Sequence, residues 1–195
     1  MPASTTLSSL LPTLRKGVPV AEIRNLAVEV AADPTKIEAL ISLLLQSESQ
    51  DKVRLQKAAW VLNHAFQSDE RAFFAFRGPL GDVLDAVDDP SALRELLKML
   101  ASPVWVDLEK ETQRRDILDL GLGLLHVDDL PLALHYAAMQ LVQSRALSEK
   151  DYAEGLDGLR ALRISNGEDN PPLKRCILRY EAKFLKRLNR LREAD

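Results

Sequence analysis

Apolar residues in this chain recur at spacings of three and four in about ten short stretches, the period of helices that bury one face. Asp33-Pro34 marks one start, because an Asp side chain caps free amides and Pro fits the first helical position. Behind it Ile37, Leu40, Ile41, Leu44 and Leu45 fall mainly on one side. Residues 47–50 are polar and break the pattern. A second helix begins near Asp51 and turns Leu55, Ala58, Ala59, Leu62 and Phe66 inward. Two such helices with a short turn make one α-hairpin.

The same grammar continues downstream. Asp89-Pro90 opens a helix through Leu93, Leu96, Leu97 and Leu100 that stops before Pro103. Further helices are predicted over about 109–125, 130–141 and 148–162, the last with Ser148 and Asp151 as an approximate capping box. Residues 165–170 read as a turn around Asn166-Gly167, and Pro171-Pro172 opens a final helix to about Arg192. Upstream, Pro19 begins a helix through Ala32, and Pro12 breaks the segment before it. No strict alternation lasts long enough for a strand. The expected fold is therefore all-α: a HEAT/armadillo-like α-α superhelix, a short right-handed solenoid of hairpins repeating at about 40 residues. It forms one domain over residues 1–195, less regular over 1–18. A compact irregular bundle is the competing arrangement.

Composition agrees with helices. Only 5% of the residues are aromatic, whereas strands favour aromatic and β-branched side chains. The 46% apolar and 28% charged fractions are those of an ordinary globular domain. A net charge of −3 gives the whole molecule no bulk attraction for nucleic acid or an anionic membrane. Cys176 is the single cysteine, which excludes an internal disulfide and any Cys-rich zinc site, and a reducing, cytoplasmic setting is expected. Arg15 and Lys16 follow the first apolar residues rather than precede them, the wrong order for a secretory signal. The densest apolar run, residues 39–45, is far too short for a membrane span.

Three stretches carry a resemblance. Lys57-Ala58-Ala59-Trp60-Val61-Leu62-Asn63-His64, preceded by Arg54, is similar to an "R…AAWVL" helix. Arg114-Arg115-Asp116-Ile117-Leu118 starts a central helix, and Arg175-Cys176-Ile177-Leu178-Arg179 enters a basic last helix. Together with Asp33-Pro34 they resemble a family of small HEAT-like proteins, common in bacteria of the Bacteroidetes type and without an established activity. The similarity runs from about Ile23 to Leu188 and implies a HEAT-like fold. Some relatives bear the name adenylosuccinate lyase. That enzyme is much longer and has a Ser-rich catalytic loop that this sequence lacks, so its activity is not expected.

Candidate chemistry is sparse. Gly121-Leu122-Gly123 lies inside a helical pattern, so its glycines are read as allowing close helix contact rather than as a phosphate loop. His64, His126 and His135 have no metal-ligand spacing, and neither a metal nor another cofactor is expected. Lys57, Trp60 and His64 share one helix face, read as packing against a neighbouring hairpin. Asp88-Asp89 and Asp128-Asp129 each precede a proline and a helix and are read as caps rather than paired catalytic carboxylates. Cys176 has no base partner and reads as a small apolar packer. No catalytic residue is assigned.

The last helix is the outlier. Residues 174–195 hold eight cations against three anions, while the remainder holds 18 against 26. Leu173, Ile177, Tyr180, Phe184, Leu188 and Leu191 define its inward face. Arg175, Arg179, Lys183, Lys186, Arg187 and Arg190 fall on an adjoining stripe. That stripe reads as a ridge for an acidic partner, against the plainer readings of a solvated terminal face or of cations answering the helix dipole. The functional expectation is a non-enzymatic helical-repeat scaffold binding a protein partner. The alternative is nucleic-acid binding, through phosphate-backbone contacts on the basic C-terminal helix. A membrane is not an expected partner.

Overall fold

Each helix end leaves backbone amides unpaired, and short polar side chains satisfy several of them here. Asp33 Oδ1 accepts from Thr35 N at 3.0 Å and Asp51 Oδ1 from Val53 N at 2.7 Å. Asp89 Oδ1 accepts from Ser91 N at 3.0 Å and Ala92 N at 2.9 Å. Ser148 and Asp151 form the reciprocal box that their spacing predicts, each accepting from the other's backbone at 3.1 Å. Asn170 Oδ1 accepts from Leu173 N at 3.1 Å, with Pro171 and Pro172 in the first turn.

The structure is a computed structural model that describes residues 2–46, 51–167 and 169–193. Among the described residues there are ten α-helices and no strand: α1 (Pro2–Leu10), α2 (Val20–Ala31), α3 (Pro34–Leu45), α4 (Lys52–Ser68), α5 (Arg77–Ala86), α6 (Pro90–Leu100), α7 (Glu111–Leu125), α8 (Leu132–Arg145), α9 (Glu149–Leu162) and α10 (Pro171–Arg192). The fold is all-α. The expected break at 47–50 lies outside the described residues. Short 3-10 turns cover Leu11–Leu14, Glu70–Phe76 and Pro103–Leu108.

The chain packs as two units, Met1–Met99 and Leu100–Asp195. In the first, α1 packs on α3 and α3 on α5, while α2 packs on α4. α4 is tied to α6 by Asn63 Nδ2 donating to Glu95 Oε2 at 2.6 Å and by Gln56 Nε2 donating to Asp89 Oδ2 at 3.3 Å. Helices that follow one another also meet, α3 with α4 and α2 with α3. The buried side chains include Leu14, Ile23, Val30, Ile37, Leu40, Leu44, Leu62, Phe66 and Phe73.

In the second unit the main contacts are between successive helices. α7 packs on α8 and α9 on α10 as successive pairs, while α7 also meets α9 and α8 meets α10. Its core joins Leu118, Leu125, Val142, Leu156, Leu159, Ile177, Tyr180 and Phe184. Small residues set the spacing. A methyl on Gly121 would lie 2.9 Å from Val142 Cγ2, and one on Gly155 would lie 2.6 Å from the Phe184 ring. The sequence expectation that both central glycines serve close contact holds for Gly121 alone, because Gly123 faces open space.

A buried ion network fastens these helix ends. Asp151, 2% exposed, accepts from Leu147 N, Ser148 N, Arg114 and Arg115 at 3.0–3.2 Å. Burial raises its carboxyl pKa, but the backbone donors and Arg114 outweigh that and hold it below the ordinary 3.8. Arg114 also reaches the Arg145 carbonyl at the end of α8. Arg145, fully buried, pairs with both Glu109 oxygens at 2.8 and 3.0 Å and binds the Leu100 carbonyl.

Two local readings are corrected. Asp128-Asp129 does not cap α8: Pro131 occupies the cap position without a side-chain bond, and Asp129 takes a left-handed φ of 62° in the preceding turn. The expected turn at 165–170 begins late, because α9 runs into a π-helical stretch, Arg163–Gly167. Arg163 is held there by Glu181 of α10 at 3.1 Å, so the chain keeps winding.

Three outcomes follow for urea unfolding. Gly155→Ala forces the buried Phe184 ring to move and lowers stability by about 1–3 kcal/mol. Gly123→Ala leaves stability unchanged or raises it by up to about 1 kcal/mol. Asp151→Asn removes one of Arg114's two carboxylate partners, leaving Glu111 at 2.8 Å, and costs about 1–3 kcal/mol, whereas the exposed Asp157→Asn stays within about 0.5 kcal/mol of the parent. Because the folded Asp151 pKa lies below its unfolded value, its contribution is present above pH 3.8 and lost as pH falls through the folded value. Acid titration of unfolding should show that loss in the parent and a smaller one in Asp151→Asn.

Candidate partner-binding site

The amphipathic pattern of α10 sets out the site. Leu173, Ile177, Tyr180, Phe184 and Leu188 are buried as the spacing predicts, and Leu191 is half-buried. With that face turned inward, Arg175, Arg179, Lys183, Lys186, Arg187 and Arg190 all stand exposed. Among the described residues, none of the six has a carboxylate within ion-pair distance. Their neighbours Arg163 and Arg192 instead take up Glu181 and Glu149, at 3.1 and 2.9 Å.

Two of the six are held in place by α8. Arg179 donates to Tyr136 Oη at 3.1 Å, and its guanidinium carbon lies 5.7 and 5.5 Å from the Tyr136 and Tyr180 ring centres. Lys183 Nζ donates to Gln143 Oε1 at 3.0 Å and sits 4.6 Å from the Tyr180 ring centre. Cation–π contact and a hydrogen bond together restrain side chains that would otherwise sample many rotamers. Behind them the rings continue inward edge to face, Tyr136 to Tyr180 at 6.0 Å, Tyr180 to Phe184 at 6.2 Å and Phe184 to Tyr152 at 5.7 Å.

An open groove of about 590 Å³ runs beside these heads, lined by Ala101, Pro103, Tyr136, Gln140, Gln143, Ser144, Arg179, Tyr180 and Lys183. Burial pushes the Tyr180 hydroxyl up to about 12, with Tyr136 adding to the rise and Arg179 opposing it. The phenol therefore stays neutral at physiological pH. Hydrogen bonding to Tyr136 raises the Arg179 pKa further, so its charge is permanent.

The α8 side of the groove is the part that sequence reasoning missed. Tyr136, Gln140 and Gln143 recur at spacings of four and three on a helix otherwise rich in Leu and Ala, and that polar stripe is the signal that could have found them. The charge excess of α10 drew attention to one wall only.

The other candidate residues lie elsewhere. Lys57, Trp60 and His64 do share a face, with Lys57 Nζ 4.6 Å from the Trp60 ring centre and the Trp60 and His64 rings 5.7 Å apart. All three are half-buried, and burial, then Arg24, lowers the His64 pKa. Cys176 is half-buried against the core of the second unit. Among the described residues no three His, Cys, Asp or Glu side chains come together as a metal-ligand set, and no helix is long and apolar enough to cross a membrane. No protein-family model, curated protein or solved structure gives a match to this chain.

His135 is buried at 1% exposure in α8, and its Nδ1 has no hydrogen-bond partner among the described residues. Burial lowers its pKa from 6.5, and only Asp128 and a Leu124 backbone bond oppose that. The folded state therefore resists a proton that the unfolded chain accepts, so stability falls as pH drops through about 6.5. Unfolding midpoints should be lower at pH 5.5 than at pH 7.5, and His135→Gln should flatten that slope.

Proposed function

We propose that the protein is a non-enzymatic scaffold of stacked helical hairpins, of the HEAT type, that holds an acidic segment of a partner protein against α8 and α10. The observation that carries this reading is the row of six exposed cations on α10 that form no ion pair among the described residues, where Arg163 and Arg192 hold the nearby Glu181 and Glu149. A charge left without a counter-charge on its own chain is available to one on another, and it steers encounter with an acidic surface. The stacked-hairpin part is supported within each unit by helices that pack both on the next helix in the chain and on the one after it, as neighbouring repeats do.

A protein segment fits better than nucleic acid. Single strands are gripped by exposed rings on which bases stack, and both aromatic residues of α10, Tyr180 and Phe184, are buried. The positive excess is also confined to one helix, whereas duplex affinity grows with the number of phosphates neutralised.

The test uses fluorescence anisotropy with two probes, a glutamate-rich peptide and a single-stranded oligonucleotide of equal charge. The triple variant Arg175→Gln/Lys186→Gln/Arg190→Gln should keep the parent's melting temperature and bind the peptide at least about tenfold more weakly. That difference should shrink between about 0.05 and 0.5 M salt, as screening overtakes exposed charges. A melting temperature that falls while peptide binding is unchanged would make the ridge an internal clamp and end the proposal. Tighter binding of the oligonucleotide than of the peptide would replace the protein partner with a nucleic acid.

A further inference from the structure

The two anchored cations differ from the other four. Arg175, Lys186, Arg187 and Arg190 have no described hydrogen-bond partner, but Arg179 and Lys183 are each fixed by a neutral side chain of α8 and lie over the same tyrosine ring. Fixing a cation with a phenol and an amide, rather than with a carboxylate, orients the head without cancelling its charge. An anion arriving here meets donors already in place, so less ordering entropy opposes binding.

The donor inventory narrows the ligand. Arg179 donates to Tyr136 through one of its five N–H bonds, so others remain to donate. The Tyr136 hydroxyl accepts that bond, and the Tyr180 hydroxyl joins both in the same hydrogen-bonded set. Lys183 has two further ammonium hydrogens, and Gln143, which accepts through Oε1, keeps its amide N–H groups. Ser144 is not part of the set, because it donates to the Leu141 carbonyl at 2.8 Å and accepts from Arg145 at 2.9 Å. Two positive charges and several directed donors thus border one groove.

A carboxylate offers one charge and two oxygens. A phosphate monoester offers nearly two charges and three terminal acceptor oxygens, which suits two cations and this surplus of donors better. We infer that the groove bordered by Arg179, Lys183, Tyr136 and Gln143 is a subsite for a phosphoserine or phosphothreonine within the acidic partner segment. The inference rests on the reading of α10 as a docking surface and makes that docking responsive to phosphorylation of the partner.

The experiment compares three fluorescein-labelled glutamate-rich peptides of one length: one with a single central phosphoserine, one with two extra glutamates that match its charge, and one with serine. The parent protein should bind the phosphopeptide about tenfold more tightly than the charge-matched peptide. Arg179→Lys keeps the charge but loses the planar fork, and Tyr136→Phe keeps the ring but loses the hydroxyl. Each should bring that preference to within about twofold while leaving the charge-matched peptide bound. Arg175→Gln/Lys186→Gln/Arg190→Gln should weaken all three peptides alike. Equal binding of the phosphorylated and charge-matched peptides by the parent overturns the subsite and leaves the ridge standing. A preference that survives both Arg179→Lys and Tyr136→Phe places phosphate recognition elsewhere and also overturns it. Failure of the parent to bind any of the peptides overturns the ridge and the subsite together.

Discussion

Asp151 sits where four chain segments have to agree. It closes the first turn of α9, accepts from the backbone just before that helix, and pairs with Arg114, which itself reaches the last carbonyl of α8. Arg145 adds the segment that precedes α7, through Glu109 and the Leu100 carbonyl. Helix ends carry unpaired amides at one terminus and unpaired carbonyls at the other. Here both kinds meet ions that share a single interior network. Such networks contribute little net stability over an apolar filling, but they tolerate few alternative arrangements. The end of α8 and the starts of α7 and α9 are held together at that corner.

The same economy appears at α10. Its apolar face supplies Tyr180 and Phe184 to the core, and the exposed edge of the ring system is where Arg179 and Lys183 come to rest. A tyrosine can do this because its ring packs with aliphatic side chains while its hydroxyl and π-face remain polar partners. Core packing and surface charge are therefore coupled through one residue, and the glycine at 155, which lets Phe184 approach, is part of what positions the cations.

Much of this was legible in the sequence wherever one residue determines one local geometry. Asp33, Asp51, Asp89, Ser148 and Pro171-Pro172 announce helix starts because caps act within three residues of themselves. The apolar line of α10 fixed which cations would face outward. What could not be read depended on contacts between distant segments. Arg145 falls late in α8 and looks like a cation answering the helix dipole, yet its partners lie 36 and 45 positions upstream. Asp128-Asp129 has the composition of a cap, but the chain turns through a left-handed residue there and Pro131 holds the cap position instead. Tyr136 and Gln143 gain meaning only from the lysine and arginine 40 and 43 residues later. The run 70–86 mixes glycine, proline and phenylalanine, and its two turns of different pitch leave no single period to detect.

The two tryptophans of the chain fall one in each unit, and their surroundings could hardly differ more. Trp105 has no contact with solvent, whereas Trp60 is half-exposed between the ammonium of Lys57 and the imidazole of His64. An indole in a dry interior emits to the blue of one in water, and a protonated imidazole beside the other quenches it. The protein thus carries two intrinsic optical reporters with separable colour and acid response. Removing either indole in turn would show whether the two halves come apart in one event or in two.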